Sequence, residues 1–356
     1  MGTIAEIDWD AFHALSASEK AAYFGDGDRE QHVILAQQFS RARLDVLGGL
    51  ATRIRRIAKT HAGSDFLQHT LSHKRAMLFF TQPSTRTFLS FCAACEILGL
   101  KMGEVRNPST SSEFKGESRD DSVRTFSSYF DLIIMRSEIG GLAERVAWLL
   151  SHSERPVPVI NAGSGKDQHP TQALLDIYTL QRSFELLGGI DGKRIVFAGD
   201  LKRGRTVRSL SVLLTQYQNV SQCFVAPPDL QIGEDIQAIL RARGVEFALR
   251  DDLRPELPDA DAVYMTRVQD EWDASDGPTC AFDASRYRIG VDELACMKPD
   301  AAILHPLPRR DEISPAVDHD GRAVYWRQMR NGMWIRAALI ASLFGVEDQI
   351  MGYAGE

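Results

Sequence analysis

Short apolar segments alternate with longer amphipathic segments along most of this 356-residue chain, and that alternation restricts the possible folds more than any other feature. In the first half, three apolar runs typical of buried strands are each followed by a helical pattern. These runs are KRAMLFF (74–80), DLIIMR (131–136) and PVPVINAG (156–163). Because strands that alternate with helices form parallel sheets covered by helices, the first half predicts an α/β domain.

A second set of alternating strands and helices begins after the glycine-rich stretch LLGGIDGK (186–193). Its strand-like runs are KRIVFAGD (193–200), QCFVAPP (222–228), VEFALR (245–250), AVYMTR (262–267) and AAILHPLP (301–308). A chain of this length is too long for one simple core and suits two domains. We therefore predict an α/β fold of two doubly wound parallel-sheet domains, with the active site in the cleft between them.

The segments outside this alternation receive simpler interpretations. Residues 1–30 are polar with weak periodicity and are interpreted as an N-terminal extension. From Gln31 to Thr60 the apolar residues recur at helical spacing, with a break at Gly48 and Gly49. The run NGMWIRAALIASLFGV (331–346) predicts a strongly apolar helix that packs against a large surface.

Composition and charge exclude several classes of protein. The formal net charge of -7 lacks the positive excess of a nucleic-acid-binding protein, although a local basic pocket can still hold an anionic substrate. The five cysteines are scattered, which argues against a disulfide framework. Cys92 and Cys95 form a CxxC inside a helical pattern, and no second pair follows to complete a metal or redox site.

The first ten residues, MGTIAEIDWD, are acidic and contain neither the basic nor the apolar region of a signal peptide. No apolar run approaches the roughly 18 residues that cross a bilayer. We therefore expect a cytoplasmic protein that binds no membrane and no nucleic acid.

Polar side chains follow nearly every predicted strand, at the point where the strand ends. The carboxyl ends of parallel strands meet at one edge of a sheet, where ligands bind, so these side chains are candidates for a common site. In chain order they are Ser84, Thr85, Arg86, Thr87, Arg136, His169, Gln172, Arg205, Arg267, Gln269 and the HPLP segment that contains Pro306 and Leu307.

Each candidate also has an ordinary structural interpretation. Ser84 and Thr85 could simply cap a helix, Arg86 could be solvated, and a lone histidine such as His169 is more often a core residue. The stretch GDLKRGRT is placed like the turn of a dinucleotide fold, but it lacks GxGxxG and gives only a weak signal for NAD. None of these interpretations explains why all the sites share one edge.

The residue types favour anion binding. A helix N-terminus offers N–H groups and partial positive charge, and hydroxyl donors with forked arginines suit a phosphate. Arg205 and Arg267 with Gln269 suit carboxylates instead. The sequence thus indicates group transfer from a phosphorylated donor to a carboxylated acceptor.

Taken in order, these motifs closely resemble those of the aspartate/ornithine carbamoyltransferase family. The matching residues are PSTRT (83–87), FKGES (114–118), MRS (135–137), NAGSGKDQHPTQALLDIYT (161–179), GDLKRGRTVRSL (199–210), YMTRVQ (264–269) and HPLPRRDEI (305–313). The likeness covers roughly residues 31–350 and favours the aspartate branch, because the ornithine branch carries DxxxSMG and HCLP elements instead of GDLKRGR and HPLP.

The resemblance implies a role for each matching residue. The catalytic residues would be Arg86, Thr87, His169 and Gln172, with Thr87, His169 and Gln172 directed at the carbamoyl carbonyl. Carbamoyl phosphate would be bound by Ser84, Thr85, Arg86, Thr87, Arg136, His169, Gln172, Pro306 and Leu307, and by Ser111 and Lys115 reaching in from a neighbouring subunit. Aspartate would be bound by Arg205, Thr206, Arg267, Gln269 and Leu307.

By the same resemblance, residues 31–168 with 331–356 would form a carbamoyl-phosphate-binding domain, and 169–330 an aspartate-binding domain. The implied reaction transfers the carbamoyl group of carbamoyl phosphate to the amino group of L-aspartate, giving N-carbamoyl-L-aspartate and phosphate for pyrimidine biosynthesis. The active unit would be a homotrimer with active sites shared between subunits. The chemistry needs no cofactor and no metal, because the leaving phosphate can accept the proton.

Two alternatives stay open. The acceptor could be another amino acid, such as ornithine, an acylated ornithine or a diamino acid, or the chain could be a catalytically silent subunit of an assembly. The sequence also departs from the family pattern at four positions, which are Gln82, Phe88, Ser137 and Trp272. In the family, the glutamate at position 82 and the arginine at 272 bridge the two domains in the closed form, so domain closure should differ here.

Overall fold

The structure, a computed structural model, describes residues 3–26, 29–106, 116–165, 168–268 and 283–355. The chain divides into two compact units: unit 1 comprises Met1–Thr171 and Gly332–Glu356, and unit 2 comprises Gln172–Asn331. Among the described residues, no helix is both long enough and apolar enough to cross a membrane.

The strands are β1 Gly25–Asp26, β2 Arg29–Glu30, β3 Arg75–Phe80, β4 Lys101–Val105, β5 Leu132–Ser137, β6 Val159–Ser164, β7 Arg194–Ala198, β8 Ser221–Val225, β9 Phe247–Arg250, β10 Ala262–Met265 and β11 Ala302–Leu304. The α-helices are α1 Trp9–Ala14, α2 Ala17–Ala21, α3 Arg41–Ile57, α4 His61–Thr70, α5 Thr85–Ile97, α6 Arg119–Tyr129, α7 Leu142–Ser151, α8 Pro170–Ser183, α9 Arg205–Leu214, α10 Glu234–Ala242, α11 Val291–Cys296, α12 Tyr325–Leu343 and α13 Glu347–Met351.

Unit 1 is built on a parallel sheet with the strand order β4-β3-β5-β6. Strands β5 and β6 are buried along their whole length, and β3 is buried from its second residue, as expected of parallel strands covered on both faces. The chain runs outward from β3 to β4 on one side and from β5 to β6 on the other. The switch point of this sheet, where ligands bind in open α/β folds, therefore lies between β3 and β5.

The N-terminal residues contribute to the core of unit 1. Ile4, Phe12 and Phe24 are each at most 1% exposed and lie in one apolar cluster with residues of β3, β5, β6 and α7. Burying side chains of this size stabilises a fold by about 1.5–3 kcal/mol each. The segment interpreted as an extension is thus an integral part of this unit.

A partly buried ion cluster joins the N-terminal and C-terminal parts of unit 1. The Arg43 guanidinium donates to both carboxylate oxygens of Glu30, at 2.8 and 2.9 Å, and to Glu347 at 2.9 Å. It also bonds to the Ser342 hydroxyl. Because the Glu30 carboxylate is buried, removing Arg43 leaves its charge poorly compensated.

Unit 2 is built on a parallel sheet with the strand order β11-β10-β7-β8-β9. The chain runs from β7 through β8 to β9 on one side, then returns to place β10 and β11 on the other side of β7. The switch point therefore lies between β7 and β10. The core contains buried apolar side chains from these strands, including Val196, Val263, Met265 and Ile303.

The structure differs from the sequence-based interpretation in two segments of unit 1. Helix α3 begins at Arg41 rather than Gln31 and continues through Gly48 and Gly49, so the predicted break is wrong. Its N-terminus is set by Ser40, whose side chain accepts a hydrogen bond from the Arg43 N–H. Strand β4 was not predicted, because it lies at the edge of the sheet with mostly exposed side chains.

Candidate active site

The N-terminal end of α5 differs from most other helix starts in unit 1. At α1, α2, α3, α4 and α6 the N-cap side chain accepts a hydrogen bond from a backbone N–H of the first turn. At α5 the N-cap residue is Ser84, and its side chain makes no such bond. The first turn, Thr85 to Thr87, also carries no acidic residue. This helix end therefore offers N–H groups and partial positive charge to an anion.

Arg136 lies at the end of β5, next to the turn that leads into α5. It pairs with Phe80 across the sheet, and its backbone oxygen accepts hydrogen bonds from the N–H groups of Thr81 and Gln82, at 2.9 and 3.3 Å. Its side chain is 9% exposed and donates from Nη1 to the Ala162 oxygen at 3.1 Å. The sheet thus brings a nearly buried guanidinium to the switch point beside the open end of α5.

Gly163, near the end of β6, lies between the side chains of Arg136 and His169. Its φ of +117° is favourable for glycine, and a Cβ there would lie 2.6 Å from Nη1 of Arg136 and 3.3 Å from Cδ2 of His169. The Arg136 guanidinium and the His169 ring therefore flank one backbone position. His169 is 4% exposed, and its Nδ1 lies 3.5 Å from the Thr171 hydroxyl.

Six of the predicted carbamoyl-phosphate residues lie in unit 1, namely Ser84, Thr85, Arg86, Thr87, Arg136 and His169, and of these Arg136 and His169 lie on either side of Gly163. Thr87 is buried and Ser84 half-buried, whereas Thr85 and Arg86 are exposed at the helix end. Ser111 and Lys115 lie outside the described residues, so their predicted contribution stays a prediction.

In unit 2 the carboxyl ends of β7 and β10 are joined at the switch point. The Thr266 N–H and hydroxyl both donate to the Ala198 oxygen, at 2.8 and 3.1 Å. Gly199 adopts a φ of +113°, and a Cβ there would lie 2.0 Å from the Thr266 oxygen, so only glycine permits this approach.

The predicted carboxylate-binding residues follow these two strands. Arg205 and Thr206 are half-buried in the first turn of α9, whose N-cap is Gly204 and therefore has no capping side chain. Arg267 follows β10, is half-buried and donates from Nη1 to the Val268 oxygen at 3.0 Å. Gln269 and Trp272 lie outside the described residues.

The segment after β11 is held by His305. The Leu307 N–H donates to Nδ1 of His305 at 2.8 Å, so Nε2 carries the ring hydrogen and donates to Glu312 at 2.7 Å. Burial raises the pKa of Glu312, but the hydrogen bond and charge of His305 together with backbone N–H donors outweigh this, so the pKa is lowered. Leu307 adopts a φ of +55°, an unusual conformation for a branched side chain, while Pro306 and Leu307 remain half-buried.

Unit 2 also contains a buried polar network that was not predicted from the sequence. Asp176 of α8 is 0% exposed and contacts Gln172, Tyr264 and Gln328. Burial, and after it the Asp176 charge, raise the pKa of Tyr264 well above its ordinary value. The available signal was a carboxylate inside the apolar run ALLDIYT, four residues after Gln172, where an unpaired charge is costly.

The two helical cysteines of the CxxC lie in α5. Cys95 is fully buried, and burial raises the pKa of its thiol. No group of three or more histidine, cysteine or acidic side chains within the described ranges is arranged to hold a metal ion.

Comparison with known proteins also assigns two domains to this chain. The family model "Aspartate/ornithine carbamoyltransferase, carbamoyl-P binding domain" matches residues 31–182, and the model for the Asp/Orn binding domain of that family matches residues 191–343. These matches confirm the family prediction and the fold class of two parallel-sheet α/β domains.

Individual relatives agree with this result. The chain is 40% identical over 331 residues to aspartate carbamoyltransferase 1, chloroplastic, of Pisum sativum, covering 91% of this chain and 82% of the relative. It is 40% identical over 315 residues to the chloroplastic enzyme of Arabidopsis thaliana, covering 87% and 77%. The Trypanosoma cruzi aspartate transcarbamoylase in complex with carbamoyl aspartate and phosphate matches with a TM-score of 0.76 at 34% identity, covering 87% and 95%.

The comparisons also correct one prediction. The expected cytoplasmic location is wrong on this comparison, because the plant relatives are named as chloroplastic proteins.

Proposed function

The chain belongs to the aspartate/ornithine carbamoyltransferase family, and on that premise we propose that it carbamoylates L-aspartate. It transfers the carbamoyl group of carbamoyl phosphate to the α-amino group, giving N-carbamoyl-L-aspartate and phosphate for pyrimidine biosynthesis. The observation that carries this proposal is the position of the predicted residues, which follow the switch-point strands of both sheets. The Trypanosoma cruzi relative supports it further, since its structure holds both products.

Unit 1 is proposed to bind carbamoyl phosphate. The phosphate lies at the open N-terminus of α5, where Ser84, Thr85 and Thr87 donate hydrogen bonds and Arg86 adds a permanent charge. Arg136 approaches from β5 and supplies a second guanidinium that the sheet holds in place. Ser111 and Lys115 are proposed to complete the phosphate site from a neighbouring subunit.

Unit 2 is proposed to bind the acceptor. Arg205 and Arg267, which follow the adjacent strands β7 and β10, pair with the two carboxylates of aspartate, and Thr206 and Gln269 add hydrogen bonds. The backbone oxygens of Pro306 and Leu307 accept N–H groups of the ligands. A dicarboxylate is favoured over ornithine because two arginines suit two carboxylates, whereas they would repel a second amine.

The reaction is an addition followed by an elimination. The neutral α-amine attacks the carbamoyl carbon, and negative charge develops on the carbonyl oxygen of a tetrahedral intermediate. Arg86, Thr87 and His169 stabilise that charge as preorganised donors. The bond between the carbamoyl carbon and the phosphate oxygen then breaks, and the departing phosphate takes the proton from the nitrogen. Holding both reactants in position supplies much of the remaining rate.

A direct assay tests the proposal. The purified protein is mixed with carbamoyl phosphate and a panel of amino acids, including aspartate, ornithine, an acylated ornithine and a diamino acid, and both ureido product and phosphate are measured. We expect turnover with aspartate alone. Ureido product with ornithine instead of aspartate would identify ornithine as the acceptor. The absence of product with every amino acid would favour a catalytically silent subunit.

Two variants on one helix separate catalysis from folding. We expect Arg86→Ala to reduce turnover by about 100-fold or more, because it removes a charged donor from the developing oxyanion. Its stability should change by less than about 0.5 kcal/mol, since the side chain is exposed. Glu96→Gln, also exposed but in the last turn of α5, is the matched control and should leave turnover unchanged. Equal turnover in all three proteins would contradict the assignment.

The assembly is proposed to be a homotrimer with shared active sites. This rests on the family resemblance of the segment that contains Ser111 and Lys115. Inactive Lys115→Ala and inactive Arg86→Ala proteins should regain activity when they are dissociated, mixed and reassembled. Some active sites then contain an intact Arg86 from one subunit and an intact Lys115 from its neighbour. Hybrids that stay inactive would refute the shared sites without affecting the proposed reaction.

A further inference from the structure

Asp176 lies at the centre of a hydrogen-bond network that is contained in unit 2. Its Oδ1 accepts hydrogen bonds from Nε2 of Gln172 at 2.9 Å and from Nε2 of Gln328 at 2.7 Å. Its Oδ2 accepts one from the Tyr264 hydroxyl at 2.9 Å. Asp176, Tyr264 and Gln328 are 0% exposed, and Gln172 is 6% exposed. An ionised carboxylate, which only accepts hydrogen bonds, matches these three donors.

The orientation of both amides follows from groups that can only donate. The His305 backbone N–H donates to Oε1 of Gln328 at 2.9 Å, so Nε2 of Gln328 must face Asp176. With Oδ1 acting as an acceptor, Gln172 must likewise present its Nε2 to Asp176.

The consequence concerns which atom Gln172 offers to a ligand. Because one N–H of its amide donates to Asp176, its Oε1 is turned away from that carboxylate. An amide oxygen accepts hydrogen bonds and would repel the carbonyl oxygen of a carbamoyl group. It suits the carbamoyl NH₂ group instead.

We propose that Asp176 is a positioning residue that fixes the amide of Gln172 so that its Oε1 accepts a hydrogen bond from the NH₂ group of the carbamoyl donor. The network thereby selects a carbamoyl group over an acyl group of the same shape, whose methyl has no hydrogen to donate. The inference rests on the proposed binding of carbamoyl phosphate. It changes the predicted role of Gln172, which the resemblance directed at the carbonyl.

Gln328 connects Asp176 to the segment that contains Pro306 and Leu307. Through Oε1 it holds the His305 N–H, and His305 in turn holds the Leu307 N–H through Nδ1. Asp176 is therefore linked both to Gln172 and to the backbone around Pro306 and Leu307. One buried carboxylate sets the position of two groups that the sequence assigned to the carbamoyl donor.

The experiment compares two donors that differ in one group. Binding of carbamoyl phosphate, acetyl phosphate and inorganic phosphate to the intact protein is measured by calorimetric titration without an acceptor. We expect the wild type to prefer carbamoyl phosphate over acetyl phosphate. In Asp176→Asn that preference should fall about tenfold, the effect of losing one well-oriented hydrogen bond, while the affinity for inorganic phosphate stays the same.

A matched control tests whether any buried hydrogen bond between these helices would have the same effect. One turn further along, Nδ2 of Asn331 donates to the Thr179 hydroxyl at 3.0 Å, again joining α12 to α8. Thr179→Val keeps the shape, removes this bond and has no link to Gln172. We expect it to lower the melting temperature and to leave the donor preference unchanged.

Tyr264→Phe decides the question if Asp176→Asn does not fold. It keeps the ring, removes one donor to Asp176, and should lower the donor preference about threefold, since Gln172 keeps its bond to Oδ1. An unchanged preference in the folded variants, or a wild type that binds acetyl phosphate equally well, would overturn the proposal. The titration measures binding and needs no turnover. A wild type that forms no ureido product would therefore refute the proposed function, whereas the donor preference would still be tested by the titration.

Discussion

The stability of unit 1 should depend on pH through one buried histidine, His32. It is 3% exposed, and burial lowers its pKa from an ordinary 6.5 to about 4. The geometry agrees with this direction. The Val159 N–H donates to Nδ1 at 3.2 Å, so that nitrogen must be unprotonated, and Nε2 donates to the Ser151 hydroxyl at 2.9 Å. A proton on Nδ1 would oppose the Val159 N–H.

The sign and size of the effect follow from linkage. Between pH 6.5 and 4 the unfolded chain binds a proton at His32 that the folded chain does not, so stability falls as the pH falls. The contribution is fully present above pH 6.5 and is lost by about pH 4. A shift from 6.5 to about 4 corresponds to about 3 kcal/mol, at about 1.4 kcal/mol for each pH unit.

The perturbation is His32→Asn, whose Oδ1 can still accept from Val159 but cannot be protonated in this range. Hydrogen–deuterium exchange of peptides that cover β6 reports the opening free energy of this unit, measured at several pH values from 7 to 4. We expect the wild type to lose about 3 kcal/mol more than the variant across that range.

Ser151→Ala is the matched control, because it removes the partner of Nε2 and leaves the titrating group. It should be less stable than the wild type by a similar amount at every pH. Parallel curves for the wild type and His32→Asn would refute the reasoning, since the buried neutral histidine would then contribute nothing to the pH dependence.

Two further predictions concern the ion cluster and the glycine at the proposed phosphate site. Arg43→Ala should lower the free energy of unfolding by about 3–5 kcal/mol in denaturant titrations, because it leaves the buried Glu30 carboxylate without its ion-pair partner. Arg41→Ala, which breaks an exposed pair on the same helix, should cost less than about 1 kcal/mol, and equal losses would contradict the role of burial. Gly163→Ala should weaken phosphate binding and turnover by about tenfold or more, because its Cβ would displace Arg136; unaltered phosphate affinity by calorimetry would rule this out.

The strands could be predicted where burial is continuous and not where it is partial. Strands β5 and β6 are covered on both faces, so apolar residues follow one another there without alternation, as in the LIIM that begins β5. Strand β4 is an edge strand with a glycine at its centre and exposed side chains, and nothing in KMGEV distinguishes it from a loop. The N-terminal residues Ile4, Phe12 and Phe24 are too widely spaced to show a period, although tertiary packing buries all three.

The site was predictable to the extent that residues lie at strand ends. A single topological rule placed Ser84, Arg136, Arg205 and Arg267 near the switch points, because parallel strands deliver their carboxyl ends to one edge. Asp176 could not be found by this rule, since it lies inside α8 and two of its three partners, Tyr264 and Gln328, are distant in sequence. The role of Gly163 could not be predicted either, because it depends on the absence of a Cβ that would contact Arg136.

An acidic chain can bind anions, because a bound anion is influenced mainly by the charges close to it. The net charge of -7 is spread over the surface, and at physiological ionic strength charges farther away than about 8 Å are largely screened. At the proposed phosphate site the nearby groups are the first turn of α5, which has no acidic residue, and the Arg136 guanidinium. At the proposed acceptor site, α9 likewise begins without a capping side chain or an acidic first turn, and Arg205 is its first residue. Both helix ends thus place partial positive charge beside the arginines, and affinity for either anion should follow these few groups rather than the charge of the whole chain.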